Sequence, residues 1–521
     1  MVTNRPLGRN ARLGWLLRIN RVMSRDPRHV RLRGFAGVLH DLGTRPGLAP
    51  STVFRWENGT TRFDHTVVRA YEDLLAVENN GLVAITDTVA RFYGDGTRAA
   101  PMLTRRPQDS DTCAVLLDEL IDRARHGGDL TGADWNDLTG LLCQHPHAIV
   151  SPRSTWSALA ERLMTEMAVA DGVSWMHRSE AFQRLIAHPV GGPAAIAATA
   201  SAAADRSAQS MIGTVSVFDA TASPTAAALV VRHLRNPVTE RTFSGALLAC
   251  FRKVRYRHFT PLQLAMVMDV LVELLAGSVP AETSSLALAV LRLLPDRMKS
   301  QLDHGIWDRL PAMLTAADGQ GRLVARVRDN VSASLAGRIP TPRDAHLHTL
   351  ISEAVFCDVF DQRLYAQLML YSTPYRPAVA DALGRELARS WHDPVLAVPL
   401  LEALRVLGMA DQRLLIERLL LDPVAPASIR DEAACALAHA DGQTRTGYWR
   451  RVIDAQLARY GRSRLPTELS VLDRITYAVG MADDLTALAE IAGRPEMPQR
   501  VRVSARWWLS LPGHIRRSAR S

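Results

Sequence analysis

An all-α protein is predicted for this chain, with a helical repeat region making up most of its length. Three observations predict it. Ala and Leu dominate, while aromatics are only 6% of the 521 residues, a balance that favours helices over sheets. From Cys113 onward one apolar helical segment follows another, with no series of alternating segments that would make strands. Short proline-bearing turns separate them, at His188-Pro189, Ser223-Pro224, Asn236-Pro237, Ser278–Pro280, Thr373-Pro374, Asp393-Pro394, Asp422-Pro423 and Arg494-Pro495, and a helix rarely continues through X-Pro.

Length and composition exclude several classes. At about 150 residues per domain, the chain is long enough for three domains or for one domain and a repeat array. It is 47% apolar and 22% charged, so it can bury a core. The most apolar stretch, Leu262–Gly277, carries Asp269 and Glu273, which rules out a membrane span. The opening Met1-Val-Thr-Asn-Arg-Pro has no apolar region of the secretory kind. Five scattered cysteines, Cys113, Cys143, Cys250, Cys357 and Cys435, argue against a disulfide framework and for a reducing cytoplasm.

Charge is sorted along the chain. Residues 1–70 hold 13 Arg against Asp26, Asp41, Glu57 and Asp64, and residues 500–521 hold six Arg and no acid. The overall charge is +9, so the middle carries −6. A basic head, an acidic body and a basic tail suit a polyanion, most often nucleic acid.

The head reads as a run of short helices. Leu13, Leu16, Leu17 and Val22 give Arg9–Met23 an apolar stripe, and Asp26-Pro27 ends it. A basic loop, Arg25–Arg33, precedes a helix over Gly34–Leu42, with Phe35, Ala36 and Leu39 inward and Gly43 as its stop. Thr44–Gly47 is a turn by composition, and Pro50 opens a short helix to Trp56-Glu57, closed by Asn58-Gly59. Asp64 is a suitable N-cap for His65–Leu75, and Leu82–Phe92 completes the head.

The segment Leu48-Ala-Pro-Ser-Thr-Val-Phe-Arg-Trp-Glu-Asn-Gly59 resembles the end of an XRE-type (phage-repressor-like) helix-turn-helix domain, with Phe35-Ala36…Leu39 upstream and Val68…Tyr71-Glu72…Leu74-Leu75 downstream in matching places. The resemblance spans about residues 8–90. It implies a recognition helix carrying Ser51 and Arg55 toward bases, with Thr52, Asn58, Thr60 and Arg62 at the phosphate backbone. It also implies a core of Val53 and Trp56, and a buried Glu57 paired with Arg21. The spacing is consistent: Val53 and Trp56 share one helix face, Ser51 and Arg55 another. Arginine can bond guanine bidentately in the major groove, while phosphate contacts set register. This chain departs from the family in the Thr44–Gly47 insertion, in Ala49 at the cap position, in Phe54 at a place normally polar, and in the loop Arg25–Arg33.

The remainder is expected to form a linker over 96–112 and a helical repeat (HEAT-like) sensor or oligomerisation domain over 113–521, behind a DNA-binding domain over 1–95. Ala427–Ala438 and Pro498–Leu509 are alike: each follows a proline turn with Ile or Val and Arg, then small residues before Leu. This resembles the second helix of HEAT-like repeats, stacked as an α-solenoid. Leu262–Leu275 reads as a helix buried inside the stack. The basic-aromatic run Phe251–Phe259 reads as an exposed helix end, with nucleic-acid binding as the alternative. In the tail, Val501, Ala505, Trp508 and Leu509 form a packing stripe, and Arg500, Arg506, Arg516 and Arg517 face solvent or phosphate.

Cys143-Gln-His145-Pro-His147 lacks the fourth ligand and the spacing of a zinc site. No phosphate-binding loop, dinucleotide fingerprint, zincin or nucleophile-elbow motif occurs, so no cofactor and no enzymatic activity are expected. The expectation is a cytoplasmic, nucleoid-associated, sequence-specific regulator of transcription that binds double-stranded DNA. Its body makes a homodimer or receives a peptide, protein or small-molecule effector. The alternative is an interaction scaffold whose head only tethers it to DNA or a partner.

Overall fold

The structure is a computed structural model that describes residues 7–41, 48–77, 81–94, 110–210, 212–277, 281–300, 323–337 and 344–520. It is all-helical, and no strand occurs among the described residues. The expected turn Thr44–Gly47 and most of the expected linker, up to residue 109, lie outside them.

Six helices form the head: α1 (Arg9–Val22), α2 (Pro27–Val30), α3 (Leu32–Asp41), α4 (Pro50–Glu57), α5 (His65–Leu75) and α6 (Gly81–Phe92). Local chemistry sets their ends. The Asp64 carboxylate accepts from Val67 N–H at 3.1 Å and caps α5. Asp26 does the same for α2 through Arg28 N–H at 2.8 Å. The expected loop Arg25–Arg33 is therefore partly helical, because Asp26-Pro27 makes a cap and a first helical residue. Trp15, Leu16, Leu17, Phe35, Val53, Trp56 and Tyr71 are all buried in one core, where the Phe35 and Tyr71 rings meet edge to face at 4.7 Å.

The middle of the chain begins with α7 (Ser110–Arg125), α8 (Gly132–Gln144), α9 (Ser154–Val169), α10 (Gly172–Ala187) and α11 (Gly192–Ala204). A 3₁₀ segment, Thr214–Ala220, leads to α12 (Pro224–Arg235), α13 (Glu240–Arg255), α14 (Pro261–Ala276), α15 (Ala281–Leu293) and α16 (Asp296–Lys299). A further helix, α17, covers 323–335. Then come α18 (Ala345–Phe356), α19 (Phe360–Tyr371), α20 (Arg376–Ser390), α21 (Pro394–Leu407), α22 (Ala410–Leu421) and α23 (Ala427–His439). The last are α24 (Tyr448–Ser463), α25 (Pro466–Met481), α26 (Leu485–Gly493), α27 (Gln499–Ser510) and α28 (Gly513–Ser518). From α20 to α27 the helices pack in successive pairs, α20 with α21, α22 with α23, α24 with α25 and α26 with α27. The second members form a row, α21 on α23, α23 on α25 and α25 on α27. The chain end returns to the middle: α28 packs on α9, and Leu130 N–H donates to the Ser518 hydroxyl at 3.1 Å.

The head's apolar core is continuous with that of α18–α28. Charged groups lock the same contact. Arg12, fully buried on α1, donates to Glu353 on α18 at 2.7 Å. Arg18 and the Trp15 indole both reach Asp344, at 2.6 and 3.3 Å. Every residue of α6 is buried, and its Arg91 meets Glu180 at 2.9 Å and Asp219 at 3.0 Å, while its Asp87 meets Arg184 at 2.6 Å.

Expectations about three segments are corrected or refined. The run Phe251–Phe259 is not an exposed helix end. Arg252 pairs with Asp361 at 2.6 Å, fully buried Lys253 donates to Thr221 C=O at 2.7 Å, and Tyr256 is buried. Two of its four cations are thus held inside the fold, Arg255 lies over the Phe92 ring, and Arg257 alone of the four is exposed. In the tail, Val501, Ala505 and Trp508 are buried and Arg500, Arg506 and Arg517 exposed, as expected, while half-buried Arg516 meets Asp483; Arg500 and Arg517 also meet acids of the body, Asp473 and Asp129. Finally, α14 is half-buried, with Leu262 73% exposed beside Asp269 and Glu273 on the open side.

Candidate nucleic-acid interface

Helix α4 sits at the surface of the head because α1 and α3 cover only one side of it. Its start has Pro50 in the first turn and no side-chain cap, since Ala49 has no acceptor. Its end is tight. Asn58 N–H bonds to Phe54 C=O and Gly59 N–H to Trp56 C=O, both at 3.0 Å. Gly59 has φ +67°, and a Cβ there would stand 2.6 Å from the Asn10 backbone. The close approach continues at Gly14 on α1, where a Cβ would stand 2.6 Å from Trp56 C=O. These two glycines let α1 cross the end of α4 backbone to backbone.

Inward, Val53 is fully buried and Trp56 nearly so. Arg21 on α1 grips Glu57 through two bonds, Nε to Oε1 at 2.6 Å and Nη2 to Oε2 at 2.8 Å. Tyr71 O–H also donates to Glu57 Oε1 at 3.0 Å. The remaining Arg21 nitrogen bonds to His29 C=O at 3.1 Å and to Val30 C=O, which ties the basic segment down. The structure thus brings together all four residues expected in the motif core, Arg21, Val53, Trp56 and Glu57.

Outward, Ser51, Phe54, Arg55 and Asn58 are exposed. Arg55 Nη2 donates to Thr52 Oγ1 at 3.3 Å, which lays the guanidinium along the helix toward its N-terminal end. Thr52 is half-buried beneath it. Asn58 and Thr60 are committed locally: the Asn58 amide donates to Phe54 C=O at 2.8 Å, and the Thr60 hydroxyl to Arg55 C=O at 3.0 Å. The Asn58 amide keeps a second N–H to donate, whereas the Thr60 hydroxyl, its proton given to Arg55 C=O, keeps only acceptor capacity. Arg62 is exposed beyond the end of the helix. So Ser51, Thr52 and Arg55 share one face, and Asn58, Thr60 and Arg62 follow at its C-terminal end.

The neighbouring surface is positive. Arg25, Arg28, Arg31 and Arg33 are exposed. Arg28 is engaged by Asp26 at 2.7 Å, and its hydrogen bonds hold the Asp26 carboxyl down at about 2. Phe54 is 54% exposed in the middle of the outer face of α4. No protein-family model matches the chain, and no curated protein matches it.

Proposed function

We propose that the chain is a sequence-specific DNA-binding regulator of transcription, with α4 as the helix that enters the major groove. One observation carries this reading. An eight-residue helix is anchored on its inner face by Val53, Trp56 and a buried Glu57–Arg21 pair, yet presents Ser51, Phe54 and Arg55 to solvent beside an arginine-rich segment. A recognition helix needs this division of faces. Arg55 supplies a fork for guanine, Ser51 a short donor or acceptor, and Phe54 an apolar contact for a thymine methyl. Thr52, Asn58 and Arg62 donate to the phosphates, and Thr60 joins them once its hydroxyl turns away from Arg55 C=O. Among the described residues no helix is long and apolar enough to cross a membrane.

The paired helices from α20 to α27 support the reading of the body as a HEAT-like repeat region, and we propose that this region pairs two copies of the chain. Two heads would then meet half-sites about 34 Å apart, one helical turn of DNA. The test is Arg55→Ala in the full chain, with genomic fragments recovered on wild type and variant and sequenced. Wild type is expected to retain an inverted repeat. The variant is expected to lose roughly 1–3 kcal/mol of specific binding and its preference at one base, with unchanged thermal stability. Equal affinity and preference in both proteins would overturn the assignment of α4.

A further inference from the structure

Between α1 and α3 the chain carries Arg25, Arg28, Arg31 and Arg33 against a single acid, Asp26, and all four arginines are exposed. Arg28 spends its charge on Asp26 at 2.7 Å. Arg25, Arg31 and Arg33 have no ion pair among the described residues. By contrast, Arg252, Arg500 and Arg517 in the other basic stretches each meet an aspartate. The segment is also one of the places where this chain departs from the repressor-like head it resembles.

These arginines stand on a backbone that the head holds in place. The His29 ring is buried against Phe35, edge to face at 5.7 Å, and its Nδ1 lies 3.1 Å from the Ser24 hydroxyl. Phe35 N–H donates to Arg31 C=O at 2.9 Å. At Gly34 a Cβ would stand 2.4 Å from Arg28 C=O, so α3 begins in direct backbone contact with α2. Arg21 completes the anchorage, because the guanidinium that grips Glu57 also donates to His29 C=O and Val30 C=O. The basic segment therefore lies within the span of one guanidinium from the last residue of α4. Asn58, Thr60 and Arg62 follow directly from that residue.

We propose that this segment is a second grip on the DNA backbone, in which Arg25, Arg31 and Arg33 bond phosphate oxygens beside the groove that α4 enters. The proposal rests on the reading of α4 as a recognition helix and adds to it a contact that reads no bases. A guanidinium fork matches the oxygens of a phosphate. Side chains on an anchored backbone lose less freedom on binding than side chains on a loose loop. The chemistry favours a phosphate strand over a protein surface. The core of a protein interface is depleted of charge, whereas here the outward residues are arginines around one exposed large apolar side chain, Val30.

The test is the salt dependence of binding by the full chain to two duplexes of equal length, a genomic fragment recovered on wild type and a scrambled version of it. Each phosphate contact contributes about 0.9 to the slope of log affinity against log salt. Arg25→Gln/Arg31→Gln/Arg33→Gln is expected to lower that slope by about 3 and to weaken both duplexes by one common factor, so that their affinity ratio is kept. Arg55→Ala is expected to lose the ratio and keep most of the slope. Arg445→Gln/Arg451→Gln/Arg462→Gln removes the same charge from exposed positions of the body and is expected to leave the slope unchanged. An unchanged slope in the first variant would overturn the grip and leave the segment to an acidic protein partner. An equal fall in the body variant would overturn it too, by making overall charge the cause. A lowered slope in the first variant, with the ratio intact in Arg55→Ala, would keep the phosphate contact and remove α4 as the reader of bases. Absence of binding to either duplex at low salt would overturn both.

Discussion

Arg21 and Glu57 lie 36 residues apart in sequence and close the head with a two-pronged ion pair, 2.6 and 2.8 Å long, that solvent scarcely reaches. The pair fixes the end of α4 to α1 at the level where Gly14 and Gly59 let the backbones touch. Breaking such a pair leaves an uncompensated buried charge, which costs about 3–5 kcal/mol. Glu57→Gln is therefore expected to lower the unfolding free energy from urea denaturation by that amount, and Arg21→Ala to do so while also loosening residues 24–31, measured by hydrogen exchange. A loss under about 1 kcal/mol in both variants would reduce the pair to a surface contact.

A second carboxylate in the head predicts a pH dependence. Glu72 on α5 accepts from Leu82 N–H at 2.8 Å and Val83 N–H at 3.3 Å, at the start of α6, with Arg69 at 3.8 Å. Burial outweighs these contacts and pushes its carboxyl up to about 7. The folded value lies above the unfolded one, so the contribution is complete below about pH 4.5 and is lost as pH rises through about 7. Over that window wild type is expected to lose about 3 kcal/mol relative to Glu72→Gln, whose side chain cannot ionise. Parallel stability curves for the two proteins between pH 4.5 and pH 7 would show that Glu72 titrates normally.

The contact between head and body gives a third. Arg12–Glu353, Arg18–Asp344, Arg91–Glu180 and Arg184–Asp87 all cross it, and the apolar core runs through it without a break. A single protease cut between residues 95 and 109 is expected to leave the two pieces together on native gel filtration and to separate them only in denaturant. Elution of the head by itself under native conditions would mean that these contacts are too weak to hold it.

Much of the local structure was legible in the sequence. The sequence-based ends of α1, α4 and α5 fall within a residue of those observed, because Pro50, Asp64, Asp26-Pro27 and Asn58-Gly59 act on their own neighbours. The inward set Val53 and Trp56 followed from helical spacing, and Arg21–Glu57 from the resemblance that located it. The all-α class followed from composition and proline spacing. The anchorage of the basic segment left no comparable signal. Arg21 reaches the carbonyls of His29 and Val30 while it holds Glu57, and no local pattern joins the three.

The basic stretches show where reading by residue type ends. Phe251–Phe259 and the tail from Arg500 look alike in sequence to Arg25–Arg33: arginine-rich and close to helix ends. The fold sends Asp361 and Thr221 to the first, Asp473, Asp483 and Asp129 to the second, and to the third only Asp26 for Arg28. Sequence alone determined that these segments are positively charged, because formal charge belongs to the residues themselves. Which charges are buried, which are neutralised and which face solvent was decided only by tertiary structure, since a guanidinium's partner is set by whichever distant carboxylate packing brings within bonding distance.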